Sequence, residues 1–219
     1  STADGGGTTT SSDGFLKTQF INLRQSNGFL YLFGDGSINV ISNVQTTGSP
    51  STTTMNNQNV DPQTGLGWRD TLVSFGRALC FANPTGVYVL FGGASEKISE
   101  KIDKLFEKAN FNTVTPTMFV TSIFGVRCLG IVLNTLDPTT NTQRTLMALW
   151  NGQKWFIATQ SLTSTFAVTM EVKANPQGWA NDGTHVYQLF ATGSSTLSKK
   201  VRSKLWPGRS NLINKTSKD

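Results

Sequence analysis

The sequence predicts an all-β protein of antiparallel hairpin repeats, propeller-like or part of a propeller, with one short helix near 95–108. Three observations predict it. First, only 15 % of the 219 residues are charged, while glycine (21) and phenylalanine (14) are abundant; that balance suits short strands and many turns rather than helices. Second, the same unit recurs four times: an apolar run, a tight Gly/Asn/Asp turn, a second apolar run. Third, helical spacing of apolar residues is confined to one segment.

The four hairpins follow in chain order. Residues 29–33 and 37–41 flank Gly34-Asp35-Gly36, and residues 78–82 and 87–91 flank Asn83-Pro84-Thr85-Gly86. Residues 145–150 and 153–158 flank Asn151-Gly152, and residues 178–180 and 184–190 flank Asn181-Asp182-Gly183. Asn-Gly and Asp-Gly supply the positive φ angles that hairpin turns demand. Further strands are expected at Thr18–Leu23, Thr71–Phe75 and Phe166–Val172. Thr117–Leu133 reads as a hairpin turning near Gly125-Val126. Between the first two hairpins, Gln45–Gly67 reads as a long polar loop of the kind that carries function or disorder. In the helical segment Ser95 is the expected N-cap, and Ile98, Ile102, Leu105 and Phe106 form one apolar stripe over charged neighbours.

Three units are expected along the chain: a polar arm over 1–13, the β domain over 14–196, and a basic strand or tail over 197–219. The net charge of +6 locates itself in the last of these. From Leu197 onward, Lys199, Lys200, Arg202, Lys204, Arg209, Lys215 and Lys218 face a single acid, Asp219. The excess there equals that of the whole chain, so the body is neutral and the tail is the candidate contact for DNA or an acidic partner. Alternation over 197–206 suggests a strand with one basic face, and Lys on an edge strand also blocks aggregation.

No constellation for catalysis emerges. The single histidine, His185, begins an alternating strand, with no orienting acid or nucleophile fixed beside it in sequence. No Gly-X-Ser-X-Gly elbow or P-loop is present. The aspartates Asp35, Asp61, Asp70, Asp103, Asp137 and Asp182 mostly occupy turns, where Asp bonds local backbone. Cys80 and Cys128 sit in apolar runs and read as buried free thiols, although sequence leaves their pairing open. We therefore expect no enzyme, no metal and no cofactor. No run of about 18 apolar residues occurs, so no membrane-spanning helix is expected. The start lacks a basic region followed by an apolar stretch, so it is not read as a signal peptide. Among five tryptophans, Trp68 and Trp179 are the candidates for stacking on a glycan. They define an alternative reading as a carbohydrate- or receptor-binding β-domain.

Several phrases taken together, in order, carry a family resemblance. They are Gly67-Trp68; residues 81–93; Glu96-Lys97-Ile98-Ser99 with Lys101-Ile102-Asp103; and residues 146–156, 181–190 and 199–206. In this order they resemble the β-propeller tail-hub or packaged-DNA stabilisation (head-completion) proteins of short-tailed bacteriophages. The likeness spans roughly 14–210, and only the order of its short motifs carries weight. Ser203 stands where the pattern would have Thr, and the family's proteins are longer than this chain. The resemblance implies a structural role in the virion, assembled in the host cytoplasm. Subunits would form a homo-oligomeric ring around the DNA channel, touch other virion proteins and help retain packaged DNA non-specifically. It implies no catalytic residue.

Overall fold

A computed structural model describes residues 19–49, 52–159, 166–172, 175–181, 186–190 and 202–205. The fold is all-β, and the described residues form sixteen strands in four antiparallel sheets. Sheet I is a meander of β1 (Phe20–Ser26), β2 (Phe29–Gly34), β3 (Ile38–Thr47) and β4 (Thr52–Asp61). Sheet II repeats the meander with β5 (Val73–Phe75), β6 (Ala78–Asn83), β7 (Gly86–Phe91) and β8 (Ala94–Lys97). Sheet III contains β9 (Thr117–Ile123), β10 (Val126–Leu136), β11 (Gln143–Trp150) and β12 (Trp155–Thr159), with β16 (Arg202–Leu205) added beside β12. Sheet IV is β13 (Phe166–Val172), β14 (Asn175–Asn181) and β15 (Val186–Gln188). Among the described residues no helix is long and apolar enough to cross a membrane, a statement that does not bear on β-barrels.

The four expected hairpins are present as β2–β3, β6–β7, β11–β12 and β14–β15, and the 117–133 hairpin turns at Phe124-Gly125. Two expectations need correction. Gln45–Gly67 is not a loop: most of it forms the β3–β4 hairpin, which extends well past the end of β2. Threonine is strand-prone, and paired Thr46 and Thr53 bridge through their hydroxyls at 3.1 Å. The helix does not begin at Ser95. Residues 94–97 are β8, paired with β7, and only Asp103–Glu107 is α-helical, after a 3₁₀ turn over Glu100–Ile102. Ser99 instead uses its hydroxyl to accept the Val87 N–H at 2.9 Å, which stitches this crossing to sheet II. The apolar stripe survives: Ile102, Leu105 and Phe106 are buried and Ile98 packs beside them.

The sheets stack face to face in chain order. Tyr31, Phe33 and Ile38 of sheet I meet Leu79, Phe81 and Leu90 of sheet II, with Phe33 edge-on to Phe81 at 5.3 Å. The other face of sheet II, carrying Cys80, Ala82 and Val87, meets Val120, Leu129, Ile131 and Ala148 of sheet III. The reverse face of sheet III, with Phe119, Cys128, Val132 and Phe156, covers Ala180 and Leu189 of sheet IV. Strict alternation along each strand is what lets one sheet serve two interfaces. Glycine permits the closest approach: a Cβ on Gly130 would lie 2.3 Å from the Phe119 ring, and one on Gly178 would lie 2.7 Å from it. Phe119 is thus seated between its cross-strand neighbour and the next sheet.

The turns also align. Ser26 and Asn27, at the β1–β2 turn, donate to the Arg77 carbonyl in the β5–β6 turn. The Tyr31 hydroxyl reaches the Gly92 carbonyl in the β7–β8 turn. Phe75, before the β5–β6 turn, packs on Trp150, before the β11–β12 turn, at 5.4 Å. These contacts gather the first and third turns of sheets I–III at one end of the stack. The middle turns lie at the other end, where Leu66 donates to Gly34 and Gly67 to Ala82.

Candidate functional site

Of the basic residues singled out in the sequence, Arg202 and Lys204 lie within β16. Lys199, Lys200 and Arg209 fall outside the described residues, as do His185 and Asp182. Strand β16 pairs antiparallel with β12, setting Arg202 opposite Thr159 and Lys204 opposite Ile157. Ser203 and Leu205 pair with Ala158 and Phe156. The register therefore puts the two basic residues at positions on one side of the strand and the two uncharged ones on the other. The stretch is an edge strand of sheet III, and basic residues at such an edge oppose further strand addition.

The two candidate stacking tryptophans are not brought together. Trp68 packs against the core between sheets II and III, its ring tilted on Phe111 at 4.7 Å. Trp179 lies on β14 between Gly178 and Ala180, the two residues that approach sheet III, so alternation turns it to the far face of sheet IV. Trp150 and Trp155 stack at 6.3 Å, and Trp155 Nε1 donates to the Ile98 carbonyl at 2.6 Å. These rings fasten sheet II to sheet III.

The described carboxylates with side-chain contacts serve local structure. Asp61 accepts the Gln63 and Thr64 N–H groups at 3.0 and 2.9 Å and the Ser95 hydroxyl, fastening β4 to β8. Burial alone would raise its carboxyl; these donors outweigh burial and hold it below the usual value. Asp137, buried at the β10–β11 turn, accepts the Thr139 N–H at 2.7 Å and pairs with Arg144 at 2.5 Å. Asp103 pairs with Lys97 at 2.8 Å. Among the described residues, no three His, Cys, Asp or Glu side chains converge as a metal site.

Cys80 and Cys128 are both free and buried. The first belongs to the sheet II–III core and the second to the sheet III–IV core, so sheet III separates them. Burial pushes the Cys80 thiol up to about 12 and Cys128 up to about 11. Neither is an activated nucleophile.

One surface escaped the sequence reading: the face of sheet I turned away from sheet II. Pairing of Leu23 with Leu32, and of Leu30 with Ile41, places these four apolar residues on that face. Leu23 is 49 % exposed and Phe20, at the strand's start, 51 % exposed; Leu30, Leu32 and Ile41 are half-buried. Beside them, Asn39 and Asn59, and Asn39 and Asn57, join through their amides at 3.0 and 2.9 Å. The strands alternate as if both faces were to be covered, which the run Phe29–Phe33 signals in sequence without saying by what. Comparison with known proteins finds no matching family model and no matching curated protein.

Proposed function

We propose that this chain is a non-catalytic structural protein of a phage tail or head-completion complex, assembling with other virion proteins around the DNA channel. The observation that carries the reading is the open apolar face of sheet I. Each of the first three sheets hands a face to the next, and among the described residues no further sheet lies on the outer face of sheet I, where Leu23 and Phe20 stay about half exposed. A blade-like stack ending on such a face suits closure by a neighbouring subunit in a propeller-like ring. The basic β16 edge gives the assembly an electrostatic contact for packaged DNA or an acidic neighbour, without base readout.

The experiment is a measurement of assembly mass for the full chain, with and without duplex DNA, across a salt series. A multimer that binds DNA with a steep salt slope supports the reading. Charge reversal at Lys199, Lys200, Arg202 and Lys204 is expected to flatten that slope. A monomer at every concentration, indifferent to DNA, would remove it.

A further inference from the structure

We propose that the end of the stack bearing the first and third turns of sheets I–III is a docking face for an anionic lipid surface. Seven large hydrophobic side chains are exposed among the described residues, and five of them lie on the turns of this end or on the strand segments leading to them: Phe29, Val44, Phe91, Phe124 and Val126. Phe91 and Phe124 are 67 % and 70 % exposed, each beside a glycine turn. Phe124 itself holds φ at 49°, a conformation that bulky residues rarely adopt. A turn of this shape favours Asn or Gly, so the phenyl ring here stands against local backbone preference.

The charge of these turns is of one sign. Arg77, Arg127 and Lys154 lie in or next to them, all exposed, and no acid falls between their flanking strand residues. Glu96 sits further along β8, opposite Val89. The opposite end carries Asp35 and Asp137 at its middle turns, and Asp61, bonded to Ser95, lies like Glu96 along the β4–β8 margin. Apolar prongs on separate hairpins, with basic groups beside them, match an anionic bilayer interface: the prongs enter the acyl boundary while the cations meet headgroups. A nucleic-acid strand is the weaker match. Val126 and Val44 offer no stacking face, and the apolar groups stand on separate turns rather than along one groove. This docking lies on the surface and needs no spanning segment. It does not depend on the role proposed above.

The test is flotation of the full chain with vesicles of phosphatidylcholine alone or mixed with phosphatidylglycerol, alongside a single-stranded oligonucleotide. Binding is expected only to the anionic vesicles, weakening as salt rises. Phe91→Ser with Phe124→Asn, which keeps turn chemistry compatible with positive φ, is expected to lower partitioning at least about tenfold with the fold intact by circular dichroism. Arg77→Glu with Arg127→Glu is expected to do the same and to remove the salt dependence. Reversal of the β16 charges should weaken vesicle binding less than reversal of Arg77 and Arg127, which separates this face from the DNA contact. Absence of binding to anionic vesicles, equal binding by the turn variants, or oligonucleotide binding through these residues without vesicle binding would overturn the proposal.

Discussion

The two faces of sheet I are made by the same strands and end in different surroundings. One face presents Tyr31, Phe33 and Ile38, all at most 6 % exposed, to the rings and aliphatic chains of sheet II. The other presents Phe20 and Leu23, each about half exposed, with an asparagine ladder alongside. Alternation alone therefore does not say which face forms the core; the partner sheet decides. The inner face holds the chain together, and the outer face is available for something else.

Substitutions can test that division. The largest effect is expected from Phe33→Ala, which deletes a fully buried ring packed on Phe81 and should cost about 3–5 kcal/mol in chemical denaturation. A loss below about 1 kcal/mol would mean that the sheet I–II seam contributes little. Gly130→Ala tests the next seam. The added methyl meets a Phe119 ring already lodged against Gly178, so a loss of about 1–3 kcal/mol is expected from the same measurement. Smaller still is Asp61→Asn at the outer margin of sheets I and II. It should cost about 1 kcal/mol near neutral pH. The carboxyl lies below its ordinary value in the fold, so its contribution is present above the unfolded-state value and is lost as pH falls through the folded one. The variant should therefore show a flatter acid limb than the parent in a series of melts. Leu23→Gln on the open face should change stability by less than about 0.5 kcal/mol. If that face joins subunits, the same change shifts the assembly mass downward, measured by sedimentation.

What was legible in the sequence was the local chemistry of turns. Each Gly/Asn/Asp turn between apolar runs joins two paired strands, because alternation and turn chemistry act over a few residues; Gly86 and Gly152 take the positive φ expected of them, whereas the turn at Gly34-Asp35-Gly36 closes without one. The Thr-rich ribbon of β3 and β4 was not legible, because a polar strand with both faces in water shows no apolar alternation. The start of the helix was misplaced for the opposite reason. Residues 94–97 have a capping serine and helix-forming Glu and Lys, yet pairing with β7 overrides that propensity. Of the candidate contact residues, Arg202 and Lys204 fall on one side of a strand, as alternation implied. The separation of Trp68 from Trp179 and the exposed turn phenyls depend on how sheets stack, which no local pattern encodes.

The placement of the two thiols makes the molecule a recorder of its own opening. Cys80 is sealed in the seam between sheets II and III, and Cys128 in the seam between III and IV. An alkylating reagent can reach each sulfur only when its own seam parts, so the reaction times of the two single-cysteine proteins rank the seams by how often they breathe. A chain that breathes first at the sheet IV side would be labelled at Cys128 long before Cys80, revealing the order in which the stack comes apart.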